Sequence, residues 1–125
     1  MERTEFERLV REGVERLPDW VREKIKNVAL IIENEPSAPV HEQERLRANE
    51  TLLGLYHGIP LTARSYDQSG ALPDTITLYQ FPIEDAACAD GMDVRDVVAD
   101  TIWHEFAHHF GMDEHTVRSR EQKRT

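Results

Sequence analysis

Val94-Arg95-Asp96-Val97-Val98-Ala99-Asp100-Thr101-Ile102-Trp103-His104-Glu105-Phe106-Ala107-His108-His109-Phe110-Gly111 reads as one capped helix. Asp93, just before it, can accept the first free N–H groups, and Asp96 places negative charge in the first turn. Gly111 is suited to stop the helix in a left-handed conformation. The spacing therefore predicts a helix over 94–110. At about 100° per residue, Ala99, Ile102, Trp103, Phe106 and Phe110 project to one side. His104 and His108 lie roughly opposite, about 40° apart by the same geometry. Glu105 sits beside them, on the face that carries Thr101.

His104-Glu105-Phe106-Ala107-His108 is an HExxH pattern. Residues i and i+4 stack one turn apart, so both imidazoles can reach one zinc ion at about 2.0–2.1 Å. The carboxylate of Glu105 lies too far round the helix to be the natural third ligand. It can face a water in the ion's open position, as a general base. Zinc lowers the pKa of that water toward about 7. His104 and His108 are thus the metal candidates and Glu105 the catalytic candidate.

Outward from the helix, the chain breaks into short elements. Phe6, Leu9, Val10, Val14 and Leu17 form one apolar stripe over 4–17, ended by Pro18. A shorter helix should follow, with Trp20, Val21 and Ile25 inward. Val28-Ala29-Leu30-Ile31-Ile32 is a continuous β-branched run, predicted as a buried strand. Residues 33–50, rich in glutamate, read as an exposed loop with a helical turn near 41–48. Leu52-Leu53-Gly54-Leu55-Tyr56 is a second strand and His57-Gly58-Ile59-Pro60 its turn. Residues 62–74 read as a loop. Thr75-Ile76-Thr77-Leu78-Tyr79-Gln80 alternates as a third strand closed by Pro82, equally suited to the core and to an edge that pairs with an extended peptide.

The segment from His104 to Glu114 resembles the extended zincin signature: HExxH, two residues, Gly111, and a third ligand three residues later. It is most similar to the minimal zincin-like metallopeptidases, a family of small bacterial proteins. The similarity extends to Asn27–Glu33 with Glu35-Pro36, to Leu52–Tyr56 with Gly58–Thr62, to Leu72-Pro73-Asp74 with Ile76–Tyr79, and to Phe81–Glu84. The resemblance implies an α+β zincin-like fold, a small sheet packed on the HExxH helix, with zinc as cofactor and a peptide or protein substrate. It places the third metal ligand at Glu114, where the family more often has aspartate. Asp113 and His115 flank that position, and either could take it. With residues 109–125 following His108, the third ligand is expected close after the helix and not on a later one. The implied function is zinc-dependent hydrolysis of peptide bonds. The alternative is a zincin-fold metal-binding or regulatory module without robust proteolysis.

Composition sets the class. The 125 residues suit one domain, 1–125, and carry 24 acidic against 15 basic residues, a formal charge of −9. That balance argues against nucleic acid, which needs a basic face, and against anionic membranes. One cysteine, Cys88, excludes an internal disulfide and is expected as a small packed residue. A charged N-terminus without an apolar segment points to a cytoplasmic protein. The oligomeric state is left open. Among the other polar residues, His109 suits a supporting or surface role, His41 and His57 polar loop positions, and Tyr56, Tyr66 and Tyr79 are partly buried amphipaths that could donate to an oxyanion.

Overall fold

A computed structural model describes residues 1–58 and 74–109. The elements run α1 (Arg3–Glu15), α2 (Asp19–Lys24), β1 (Ala29–Glu33), α3 (Ala38–Gln43), β2 (Gly54–His57), β3 (Thr75–Tyr79), α4 (Gln80–Asp90) and α5 (Val94–His109). This is an α+β architecture with a three-stranded mixed sheet. Among the described residues its order is β1-β3-β2, with β1 parallel and β2 antiparallel to β3. No helix among them is long and apolar enough to cross a membrane.

The predicted stripe buries Phe6, Val10 and Leu17, and Val21 continues it past the break at Pro18. Gly13 lets α1 cross α5 closely: a Cβ there would stand 2.8 Å from the Arg95 carbonyl oxygen and 3.0 Å from Val98 Cγ1. Pro18 sits just before α2. Trp20 lies on the rim, its ring edge-on to Trp103 at 5.5 Å between centroids.

Three expectations change. The run over 28–32 is not a buried strand. Among the described residues β1 lies at a sheet edge, and Ile31 is 40% exposed. A continuous apolar run reports hydrophobicity on both faces, but here only the Leu30 and Ile32 face meets the core. Pro82 does not close a strand against a loop. It sits in the first turn of α4, where a missing N–H leaves no bond unmade. Cys88 is exposed, because α4 buries Gln80, Ile83 and Ala87 and position 88 falls outside that face.

The long helix also differs from a two-faced amphipath. α5 buries Val97, Val98, Ala99, Thr101, Ile102, Trp103, Phe106 and Ala107. It lies between the α1 side of the molecule and the sheet, so apolar residues surround it except along the histidine strip. Its start is as expected: the Asp93 carboxylate accepts the Arg95 N–H at 2.8 Å and pairs with the Arg95 guanidinium. Arg95 also reaches Glu12 at 2.8 Å, tying the start of α5 to α1.

Candidate active site

The C-terminal half of α5 carries His104, Glu105 and His108. His104 is half-buried and His108 exposed, with ring centroids 6.3 Å apart and planes tilted by 40°. Two imidazoles sharing a tetrahedral ion at about 2.0–2.1 Å bring their centroids to roughly 5 Å. The observed spacing is about 1 Å wider, within reach of small side-chain rotations. The donor types suit zinc, and the pair fits it. Among the described residues no three His, Cys, Asp or Glu side chains converge on one point. Glu114, Asp113 and His115 lie outside those residues, as do Tyr66 and Gly111.

Glu105 is fixed from the sheet. The backbone N–H of Tyr56 donates to Glu105 Oε1 at 3.1 Å. Strand register explains why this group is available. Tyr79 N–H donates to the Leu53 carbonyl, which makes Leu53–Tyr79 a hydrogen-bonded pair. Antiparallel pairs alternate, so Gly54 and Tyr56 turn their N–H groups away from β3. The outer side of β2 therefore faces Glu105. Burial raises the Glu105 carboxyl above its ordinary value, against the lowering pull of the Tyr56 N–H and of the two imidazoles.

The same register corrects the substrate-edge expectation for residues 75–80. β3 is paired on both sides, to β1 and to β2, so its backbone cannot receive a further strand. The strand whose outer side faces Glu105 is β2.

Tyr56 holds this corner at three points. Besides its N–H, its hydroxyl donates to Asp74 Oδ2 at 2.7 Å, and its ring stacks on His109 with centroids 3.8 Å apart. His109 is thus a packing partner of β2, in keeping with a supporting role. Gly58 makes room for it, since a Cβ there would come 2.8 Å from His109 Cε1. Tyr79 is buried, and its hydroxyl is pushed up by burial and by nearby Glu33, Glu44 and Glu105. His57 is exposed at the end of β2, and His41 is half-buried on α3, which spans 38–43 and so begins before the helical turn expected near 41–48.

Two contributors escape a sequence reading. Asp100 stands one turn before His104 and lines a cavity of about 340 Å³ that also touches His104 and Glu105. Its signal was present, the same four-residue step that pairs His104 with His108. Gly54 approaches α5 so closely that a Cβ would stand 2.7 Å from Thr101 Cγ2. That contact is non-local and leaves no trace in spacing.

A family model described as zincin-like metallopeptidase matches residues 25–124. Among solved structures, a conserved hypothetical protein from Thermo thermophilus superposes with a TM-score of 0.55 at 24% sequence identity. The match covers 87% of this chain and 94% of that one, and shows a shared fold. No curated protein matches the chain.

Proposed function

We propose that this chain, which belongs to the zincin-like metallopeptidase family, hydrolyses peptide bonds with Glu105 as general base. The observation that carries the reading is the carboxylate of Glu105, half-buried beside two imidazoles and aimed by the Tyr56 N–H at 3.1 Å. His104 and His108 would hold zinc, with Glu114 as the third ligand. When bound, zinc supplies a Lewis acid at this position.

The chain's own part follows from its geometry. Glu105 accepts a proton from the attacking water and passes it to the leaving amine. Burial favours this, because a carboxyl raised above its ordinary value is a stronger base once ionised. The hydrogen bond from β2 opposes free rotation of the side chain and keeps one oxygen committed. The second oxygen is then the one that handles the proton.

The test compares wild type with Glu105→Gln on a broad peptide library, zinc content being measured in both. Glutamine keeps a hydrogen-bonding oxygen and cannot take a proton. Zinc should stay bound and turnover should fall by about 10² to 10⁴-fold, the usual contribution of a general base. Equal turnover in both proteins would overturn the assignment of Glu105. Zinc-loaded wild type that cleaves no peptide would favour the metal-binding module instead.

A further inference from the structure

The outer edge of β1 carries backbone groups that the sheet leaves unused. The Ala29 N–H donates to the Asp74 carbonyl, so in the parallel pairing Ala29, Ile31 and Glu33 turn their backbone groups toward β3. Leu30 and Ile32 turn theirs outward. Arg3 marks that direction, its guanidinium donating to the Ile32 carbonyl at 3.1 Å. Among the described residues nothing else pairs with the outward groups of Leu30 and Ile32. Open edges are commonly guarded by lysine, proline or a bulge. This one reads Ala29-Leu30-Ile31-Ile32-Glu33, in unbroken register, and Ile31 at its centre is 40% exposed.

Beside this edge lies a groove of about 380 Å³, lined by Leu30, Ile32 and Val10 and by Arg3, Glu7 and Arg11 of α1. Glu7 and Arg11 stand one turn apart on α1, and neither has an ion pair among the described residues. We infer that this edge is a dimer interface, at which a second copy of the chain pairs its β1 antiparallel to this one about a two-fold axis at Ile31, joining the two sheets.

Self-complementarity selects this occupant. With Leu30 opposite Ile32 of the partner subunit, each such pair exchanges both of its N–H to carbonyl bonds and every outward group is used. The Ile32 carbonyl has a second lone pair, so Arg3 need not leave. A slipped register instead enlists Val28 or Asn34, and the Val28 N–H is already bonded to Ile25 and the Asn34 carbonyl to Phe81. The same axis sets Ile31 beside its symmetry mate, with Cβ atoms about 4.5–5.5 Å apart, and covers both. Across the axis α1 meets its copy running the opposite way, so Glu7 faces Arg11 of the partner subunit and Arg11 faces Glu7 of the partner subunit. An unrelated extended peptide would satisfy the backbone edge but not this reversed pair of charges.

The experiment is sedimentation velocity of the full chain from about 1 µM to about 1 mM, the range expected of a small interface. The monomer–dimer equilibrium should fall within it. Ile31→Lys, at an exposed position, should keep the melting temperature in dilute solution. It should weaken association at least about tenfold, since it removes the apolar contact and sets like charge against like. Glu7→Arg should weaken association roughly threefold or more. Glu7→Arg combined with Arg11→Glu should recover it, which a general loss of stability would not do. In the nitrogen-15-labelled chain the Leu30 and Ile32 amides should exchange more slowly with solvent as concentration rises, while the Ile31 amide, already turned to β3, stays unchanged. A chain that is monomeric at about 1 mM overturns the interface. So does a dimer whose dissociation constant is unmoved by folded Ile31→Lys and by Glu7→Arg, since another surface then holds it. Should Ile31→Lys fail to fold, the charge reversal and its recovery decide the matter alone.

Discussion

Replacing Gly54 with alanine should loosen the sheet from the helix at the point where Glu105 is held. The added Cβ would stand 2.7 Å from Thr101 Cγ2 and 3.1 Å from the Thr77 carbonyl oxygen. Carbon atoms settle at roughly 3.5 Å or more, so strand and helix must part by about 0.8 Å. Thr101 cannot turn aside cheaply, because it is buried and its hydroxyl donates to the Val97 carbonyl at 2.7 Å. Overpacking of this kind costs roughly 1–3 kcal/mol. In a strand free of the contact, alanine would instead stabilise relative to glycine by about 0.5–1 kcal/mol. The sign of the change is therefore diagnostic. Tyr56 lies two residues along β2, and a shift transmitted to it stretches its bond to Glu105 toward about 3.9 Å, beyond hydrogen-bonding range. The assay is urea unfolding of wild type, Gly54→Ala, Thr101→Ser and the double variant. Thr101→Ser keeps the hydroxyl and removes Cγ2, at about 1 kcal/mol for the lost methyl group. The double variant should be more stable than the sum of the single changes by at least about 0.5 kcal/mol, short of full recovery because the Thr77 carbonyl remains. Additive losses, or a stabilised Gly54→Ala, would refute the reasoning.

The two ends of α5 give the remaining tests. Zinc at 100 times its Kd should stabilise the fold by about 2.7 kcal/mol, a Tm rise of roughly 10 °C; His104→Ala or His108→Ala should remove it, Glu114→Ala should reduce it more than Asp113→Ala, and a rise that survives both histidine changes would sink the assignment. At the other end, Arg95 holds the carboxyls of Asp93 and Glu12 below their ordinary values, chiefly through side-chain hydrogen bonds. A depressed folded-state pKa gives stability that is present above the unfolded carboxylate range and lost as pH falls through the folded value. Arg95→Met should thus lower Tm at pH 7, modestly given the exposure of the pair, and the gap should close as the pH is taken well below the ordinary carboxylate range; a gap constant across that titration argues against it.

Much of this protein could be read from local patterns. The stripe on α1, the break at Pro18, the cap at Asp93 and the strands near 29–33, 54–57 and 75–79 each depend on residues within one element. The paired histidines were legible for the same reason, since i and i+4 share a face on any helix. What failed depended on neighbours from elsewhere in the chain. β1 carries a core strand's composition at what is, among the described residues, an edge position. Pro82 is a helix starter only because β3 turns straight into α4, and a proline that ends one element looks the same as one that begins the next.

The α5 helix shows why the site and its support differ in legibility. A helix facing one layer needs one apolar face, and periodicity finds that face. A helix held between a helical layer and a sheet is apolar almost all round, and its few polar positions then carry the information. On α5 those half-buried or exposed positions include Asp100, His104, Glu105 and His108. The exception to apolar burial, and not the rule of amphipathic spacing, marks the candidate site. The groups that aim Glu105 carry no such mark. They are a backbone N–H, turned outward by the alternation of antiparallel pairs, and a glycine whose missing side chain brings β2 against Thr101. The candidate site therefore rests on polar side chains that sequence exposes and on a strand position that only the register supplies.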